Sequence, residues 1–120
     1  FREIDIALFP NRAEGGTNLV AMEAISAGVT CAISDNTGHK DLVKNCHCIP
    51  LSIQSRVHTS NNSPCLDWGE SSVDELVSVL EDAYQNRLPI PDKPTISNSI
   101  KSFTWENSIF KLLDVVNIYS

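Results

Sequence analysis

Ile4-Asp5-Ile6-Ala7-Leu8-Phe9-Pro10-Asn11-Arg12-Ala13-Glu14-Gly15-Gly16-Thr17-Asn18 passes from an apolar run into a polar, glycine-paired turn. Residues 4–9 are apolar on average and Pro10-Asn11 ends them, which predicts a short parallel strand buried on both faces. The turn feeds Leu19-Val20-Ala21-Met22-Glu23-Ala24-Ile25-Ser26-Ala27-Gly28. Thr17 or Asn18 suits the N-cap of a helix there, and Gly28 suits its stop. Val29-Thr30-Cys31-Ala32-Ile33 reads as a second strand. Strand, glycine loop, helix and strand make a βαβ unit, whose crossover is right-handed and whose sheet is parallel. The fold class expected is α/β, a short parallel sheet flanked by helices.

This arrangement suits anions. The first helical N–H groups lack intrahelical partners, and the helix dipole favours negative charge beside them. Glycines let the backbone approach a phosphate closely. In open parallel sheets, ligands lie outside the carboxyl ends of the strands. A phosphate is therefore expected near Gly15, Gly16, Thr17, Asn18 and Leu19. Glu14 lies at the strand's carboxyl end and Glu23 about a turn and a half into the helix. Carboxylates accept hydrogen bonds from vicinal hydroxyls. Two of them flanking an anion site suit a ligand that carries both phosphates and hydroxyls, such as a nucleotide sugar.

Working outward, Ser34–His39 is turn-rich, Lys40–Val43 suggests a short helix, and His47–Leu51 a strand ending near Pro50. Residues 52–70 are polar and uneven and read as a surface loop. Ser72 with Glu75 forms a capping-box pattern, and Val73, Leu76, Val77, Leu80 and Tyr84 mark the expected buried face of a helix. Pro89, Pro91 and Pro94 then keep the chain out of that helix. A last helix is expected over 104–119, with Trp105, Ile109, Leu112, Leu113 and Val116 as its apolar stripe, ending in Ile118 and Tyr119.

The net charge of −6 and pI near 4.8 argue against nucleic acid, which selects a basic face, and against an anionic membrane surface. No apolar run reaches the roughly 20 residues of a membrane span. The four cysteines, Cys31, Cys46, Cys48 and Cys65, do not form the pattern of a disulfide scaffold, so reduced thiols and a cytoplasmic location are expected. Because the chain opens with Phe1 and runs at once into a strand, we expect a single partial domain, 1–120, of a longer protein.

Residues 5–43 resemble the donor-binding motif of the retaining GT-B glycosyltransferases, especially family 4. In that family a strand ends in a Pro-Ser-Arg-like tripeptide. A Glu-Gly-Phe-Gly-like loop follows, then a helix with a second Glu, then Ala-Gly-Val-Pro and a strand ending near Ser-Asp. The matching residues are Pro10-Asn11-Arg12, Glu14-Gly15-Gly16, Glu23-Ala24, Ala27-Gly28-Val29-Thr30 and Ser34-Asp35. Gly38 and Asp41-Leu42-Val43 resemble the family's Gly-x-x-Glu-Leu-Val, and Phe103 with Trp105-Glu106 its terminal Phe-x-Trp. The resemblance implies the C-terminal, Rossmann-like donor domain of such an enzyme. It implies that Glu14, the catalytic candidate, contacts hydroxyls of the donor sugar and that Glu23 binds the ribose. The backbone at Gly16–Leu19 would hold the diphosphate. It implies no metal and no cofactor beyond the donor, because dipole, amides and basic side chains neutralise the leaving group. Its partners would be the nucleotide sugar, an acceptor and the missing N-terminal domain. This chain departs from the family in having eight residues between the two glutamates where seven are usual. The extra one falls most simply in the turn before the helix. The family's diphosphate-clamping Arg and Lys lie upstream and are matched by neither Arg2 nor Arg12, so the chain alone is expected to be inactive.

Competing readings accompany these. Glu14 taken alone is a solvated loop carboxylate, and Glu23 a helix-surface residue favoured by the dipole. His39 either touches a ligand or serves the turn; Arg12 either approaches phosphate or pairs with Glu14. Cys46-His47-Cys48 invites zinc, but strand alternation would send His47 to the opposite face and no second ligand pair follows. Trp68 and Trp105 read as packing residues. Two other functions stay open: a non-catalytic interaction domain that kept the fold, and a nucleotide-binding module of another Rossmann type. The absence of Gly-x-Gly-x-x-Gly speaks against the second.

Overall fold

A computed structural model describes the backbone of residues 1–119 and the side-chain surroundings of residues 1–117. The expectation for Ile118 and Tyr119 therefore lies outside the described side chains. The fold is mixed α/β. Strand β1 (Ile6–Phe9) leads through helix α1 (Leu19–Ser26) to β2 (Thr30–Ser34), and helix α2 (His39–Asn45) leads on to β3 (Ile49–Leu51). The strands form a parallel sheet in the order β1-β2-β3, with Ile6 opposite Thr30 and Ala32 opposite Ile49. Both crossovers step the sheet in one direction and their helices share one face, as repeated right-handed βαβ connections require.

Alternation along β2 builds two cores. Cys31 and Ile33 point to α1 and α2 and pack with Ala21, Ala24, Ile25, Val29 and Leu42. Ala32 points the other way and packs with Leu51 and Val79. β2 is buried throughout, whereas β1, an edge strand among the described residues, is half-buried rather than buried on both faces as expected. Pro50 does not end β3 but lies within it, opposite Ile33, at a sheet edge where a missing N–H costs no ladder bond.

The glycine stop of α1 is decided by a close approach. Gly28 has φ 76, and a Cβ there would lie 2.8 Å from Lys93 Cβ and 2.9 Å from Lys93 O. Lys93 opens α4 (Lys93–Ser99), whose Asp92 cap accepts from Thr95 N at 3.1 Å. A 3-10 turn at Ile100–Phe103 leads into α5 (Trp105–Tyr119).

Further expectations are corrected. Residues 52–70 are not an irregular loop: β4 (Gln54–His58) and β5 (Pro64–Ser71) pair antiparallel in a separate hairpin. Its strands are largely exposed, so no alternating apolar pattern announces it. Helix α3 (Val73–Tyr84) buries Val79, with Leu76 packed beside it, while Val73, Val77, Leu80 and Tyr84 are exposed. Only half of its capping box forms. Ser72 Oγ accepts from Glu75 N at 3.3 Å, but the Glu75 carboxylate accepts from the N–H groups of Ser52 and Ile53, each at 3.0 Å. Finally, Trp105 is 86% exposed, and Ile109, Leu112, Leu113 and Val116 are exposed with it rather than forming a buried stripe. The radius of gyration is 16.2 Å, against about 13.6 Å for a compact domain of this length, which accords with these uncovered faces. No helix among the described residues is long and apolar enough to cross a membrane.

Candidate functional site

The carboxyl ends of β1 and β2 bring two loops together. Thr37 Oγ1 accepts from Glu14 N at 2.7 Å, and Glu14 O accepts from Gly38 N at 3.1 Å. Gly38 can sit there only as glycine, because a Cβ would overlap the Gly16 carbonyl and come within 3.0 Å of Glu14 O. Gly15 and Gly16 have nothing within 4 Å of an added Cβ, so their outer face is open. The loop thus has a tied inner side and a bare outer side.

Asn18 begins α1 in the left-handed region, φ 54 and ψ 89, and its Oδ1 accepts from Ala21 N at 3.1 Å. That bond orients the amide and leaves Nδ2 to donate. Nδ2 lies 2.9 Å from His39 Nε2, which must therefore be an acceptor. The ring proton is then on Nδ1, which lies 2.8 Å from Ser34 Oγ. Ser34 in turn donates to Asn11 O at 2.8 Å. This chain of bonds, Asn18 to His39 to Ser34 to Asn11, assigns a neutral imidazole with its proton on Nδ1. Burial, with His39 at 0% exposed, holds its pKa below the ordinary value, against the opposing pulls of Glu14 and Ser34. The 3.9 Å approach of Glu14 Oε2 to Nε2 is consequently not an ion pair at neutral pH. His39 braces the site from behind and is closed to solvent, which removes the reading that it touches a ligand.

Glu14 itself is 25% exposed, with Oε2 accepting from Asn11 Nδ2 at 3.1 Å. Thr17 Oγ1 donates to Met22 Sδ at 3.3 Å, and Leu19 is exposed at the helix start. Glu23 lies apart from Glu14. It lines a groove of about 260 Å³ with Leu19, Met22, Ser26, Phe103 and Thr104, between α1 and the start of α5. Arg12 meets neither Glu14 nor the glycine loop; its guanidinium pairs with Glu70 of the hairpin.

A residue without a role in the sequence motif holds the assembly together. Asn36, 3% exposed, directs Nδ2 to Asn11 O at 2.9 Å, Gln54 Oε1 at 3.1 Å and Gly69 O at 3.0 Å, while its Oδ1 accepts from Thr37 Oγ1. Gly69 N donates to Arg12 O at 2.9 Å, and a Cβ on Gly69 would collide with the Gln54 side chain. The hairpin is thereby docked on the loops that follow β1 and β2. Between the hairpin, Asp35, Asn36 and Lys40 lies a groove of about 460 Å³. Turn composition at 35–38 indicated a loop, but nothing local could name the distant carbonyls that Asn36 serves.

Cys46 caps α2 and Cys48 precedes β3, so the expected strand alternation of Cys46-His47-Cys48 does not occur. Both pack against the core beside Cys31. Burial and the neighbouring sulfurs push Cys31 up to about 12, and burial, Cys46 and Asp35 do the same to Cys48. These thiols are packing groups. Among the described residues no group of three His, Cys, Asp or Glu is gathered to hold a metal ion. Compared with protein families, with curated proteins and with solved structures, the chain matches none.

Proposed function

We propose that this chain is the donor-recognition part of a Rossmann-like GT-B glycosyltransferase that moves a sugar from a nucleotide sugar to an acceptor hydroxyl with retention at the anomeric carbon. The observation that carries the reading is the bare backbone at Gly15 and Gly16, which lies between the end of a parallel strand and the start of α1, beside a half-buried carboxylate. A diphosphate laid on Gly16–Leu19 meets unpaired helix-start N–H groups and the positive end of the helix dipole. Glu14 takes hydroxyls of the donor sugar. Leu19 belongs both to this loop and to the groove of Glu23, so a nucleotide crossing the first turn of α1 carries its ribose to Glu23. Stabilising the departing diphosphate by amides and dipole asks for no metal.

Calorimetric titration with uridine, guanosine and adenosine diphosphate sugars tests the reading. One base class should bind, and Glu23→Ala should weaken it at least about tenfold, the loss of a charge-assisted hydrogen bond. A folded chain that binds none of them, or binds indifferently to Glu23, overturns it. The second reading, a non-catalytic interaction domain, draws support from the exposed Trp105, Phe110 and Leu112 on α5, which suit a protein surface.

A further inference from the structure

The hairpin carries a distortion aimed at the 460 Å³ groove. His58 pairs with Pro64 and Arg56 with Gly69, so β5 advances five positions while β4 moves back two. The three extra residues form a bulge that contains Leu66, Asp67 and Trp68. Asp67 adopts φ 61, a left-handed conformation that costs free energy for a residue with a side chain. The bulge displays Trp68 at 47% exposure on the groove wall instead of burying it. Its mounting is rigid, because Gly69 next to it is held by Asn36 and by Arg12 O.

The rest of the wall shows what the indole faces. Asp35, Lys40, Arg56 and Asp67 line the same groove. Among the described residues the ion pairs are Arg12–Glu70 and Arg87–Asp82, and neither Lys40 nor Arg56 takes part. Two carboxylates that accept and two cations that donate sum to no net charge. A phosphate would be repelled by the aspartates, and an ammonium by Lys40 and Arg56. A neutral ring rich in hydroxyls satisfies all four, and the apolar C–H face of such a ring stacks on an indole. The volume falls within the range of small-molecule sites, about 300–1,000 Å³.

We propose that this groove is a binding site for a neutral saccharide, with one sugar ring seated on Trp68 and its hydroxyls held by Asp35, Asp67, Lys40 and Arg56. Its use as an acceptor site rests on the transferase reading; the binding itself does not. The groove is joined to the Glu14 loop through Asn36 and Gly69, which places the two ligands side by side.

The test is fluorescence titration of the Trp105→Phe chain, in which Trp68 is the remaining indole, with maltose, cellobiose and lactose, each checked by calorimetry. At least one disaccharide should produce a saturable shift. Trp68→Ala should abolish the calorimetric signal, Trp68→Phe should retain it within about threefold, and Glu81→Ala, at an exposed position of α3, should leave it unchanged; circular dichroism verifies each fold. No saturable response from a folded chain, or equal binding by Trp68→Ala, overturns the proposal. So does binding of inorganic phosphate, lost in Lys40→Ala/Arg56→Ala, without binding of any disaccharide. If nucleotide sugars fail to bind while a disaccharide does, the donor reading falls and this one stands; the opposite pattern removes the saccharide groove alone.

Discussion

Replacing Asn36 by Ala removes the side chain on which the hairpin, the β1 loop and the β2 loop converge. Two amide protons serve three acceptors at 2.9–3.1 Å. Two hydrogen bonds are worth about 2 kcal/mol net, at about 1 kcal/mol each. Asn11 O keeps its bond from Ser34 Oγ, and Gln54 can turn, but the Gly69 carbonyl is left without its donor, which adds about 1 kcal/mol. The expected loss is about 3 kcal/mol. With a urea slope of about 2 kcal/mol per molar, the midpoint falls by about 1.5 M, read by circular dichroism. Asn36→Asp sharpens the test. It keeps the acceptor for Thr37 Oγ1 but turns a carboxylate toward three oxygens, so burial and these dipoles raise its pKa in the folded state. Its stability is then present at acid pH and lost as pH rises through that raised value. Relative to Asn36→Ala, Asn36→Asp should improve as pH is lowered from 7 towards 4.5. A loss below about 0.5 kcal/mol for Asn36→Ala, or parallel pH profiles for the two variants, refutes the claim that this amide docks the hairpin.

Two further outcomes follow from the geometry. Gly38→Ala drives a methyl into the Gly16 carbonyl and breaks the Gly38–Glu14 backbone bond, so it should cost about 2–4 kcal/mol in urea denaturation and weaken nucleotide-sugar binding; an unperturbed midpoint with unchanged affinity would contradict the loop contact. His39 has a pKa held below its ordinary 6.5 when folded, so the unfolded chain takes up its proton first. Stability should be full above that value and fall as pH drops below it, and His39→Gln should flatten this part of the profile in urea midpoints from pH 8 to 5. An identical slope in the variant would show that the imidazole is not the group responsible.

Much of the βαβ unit was readable because its signals are local. Asn18 caps α1 through Ala21 N three residues on, and Gly28 stops it with a positive φ, both legible as residue types at the ends of an apolar run. The glycine pair before a helix start likewise marked the loop that the structure leaves open. The face of α3 was not readable, because apolar residues occur on more than one side of it. Its rotation follows from Glu75 reaching Ser52 and Ile53 and from Ser72 N donating to Ile53 O, which turn Val79 rather than Leu80 toward the sheet. The hairpin is not legible for a related reason. Its strands lie off the main sheet and are largely exposed, and the β5 residues that are buried, Gly69 and Ser71, carry no apolar signal.

By itself, then, the sequence determined the α/β class, the parallel unit and the position of a glycine loop ahead of α1, all written in near-neighbour sterics and hydrogen bonding. Only the tertiary structure decided that His39 is a buried neutral brace, that Asn36 binds three segments, and that Glu23 and Trp68 face grooves of their own. Those facts depend on which distant carbonyls, carboxylates and empty spaces a side chain meets once the backbone has closed, and no local pattern encodes them.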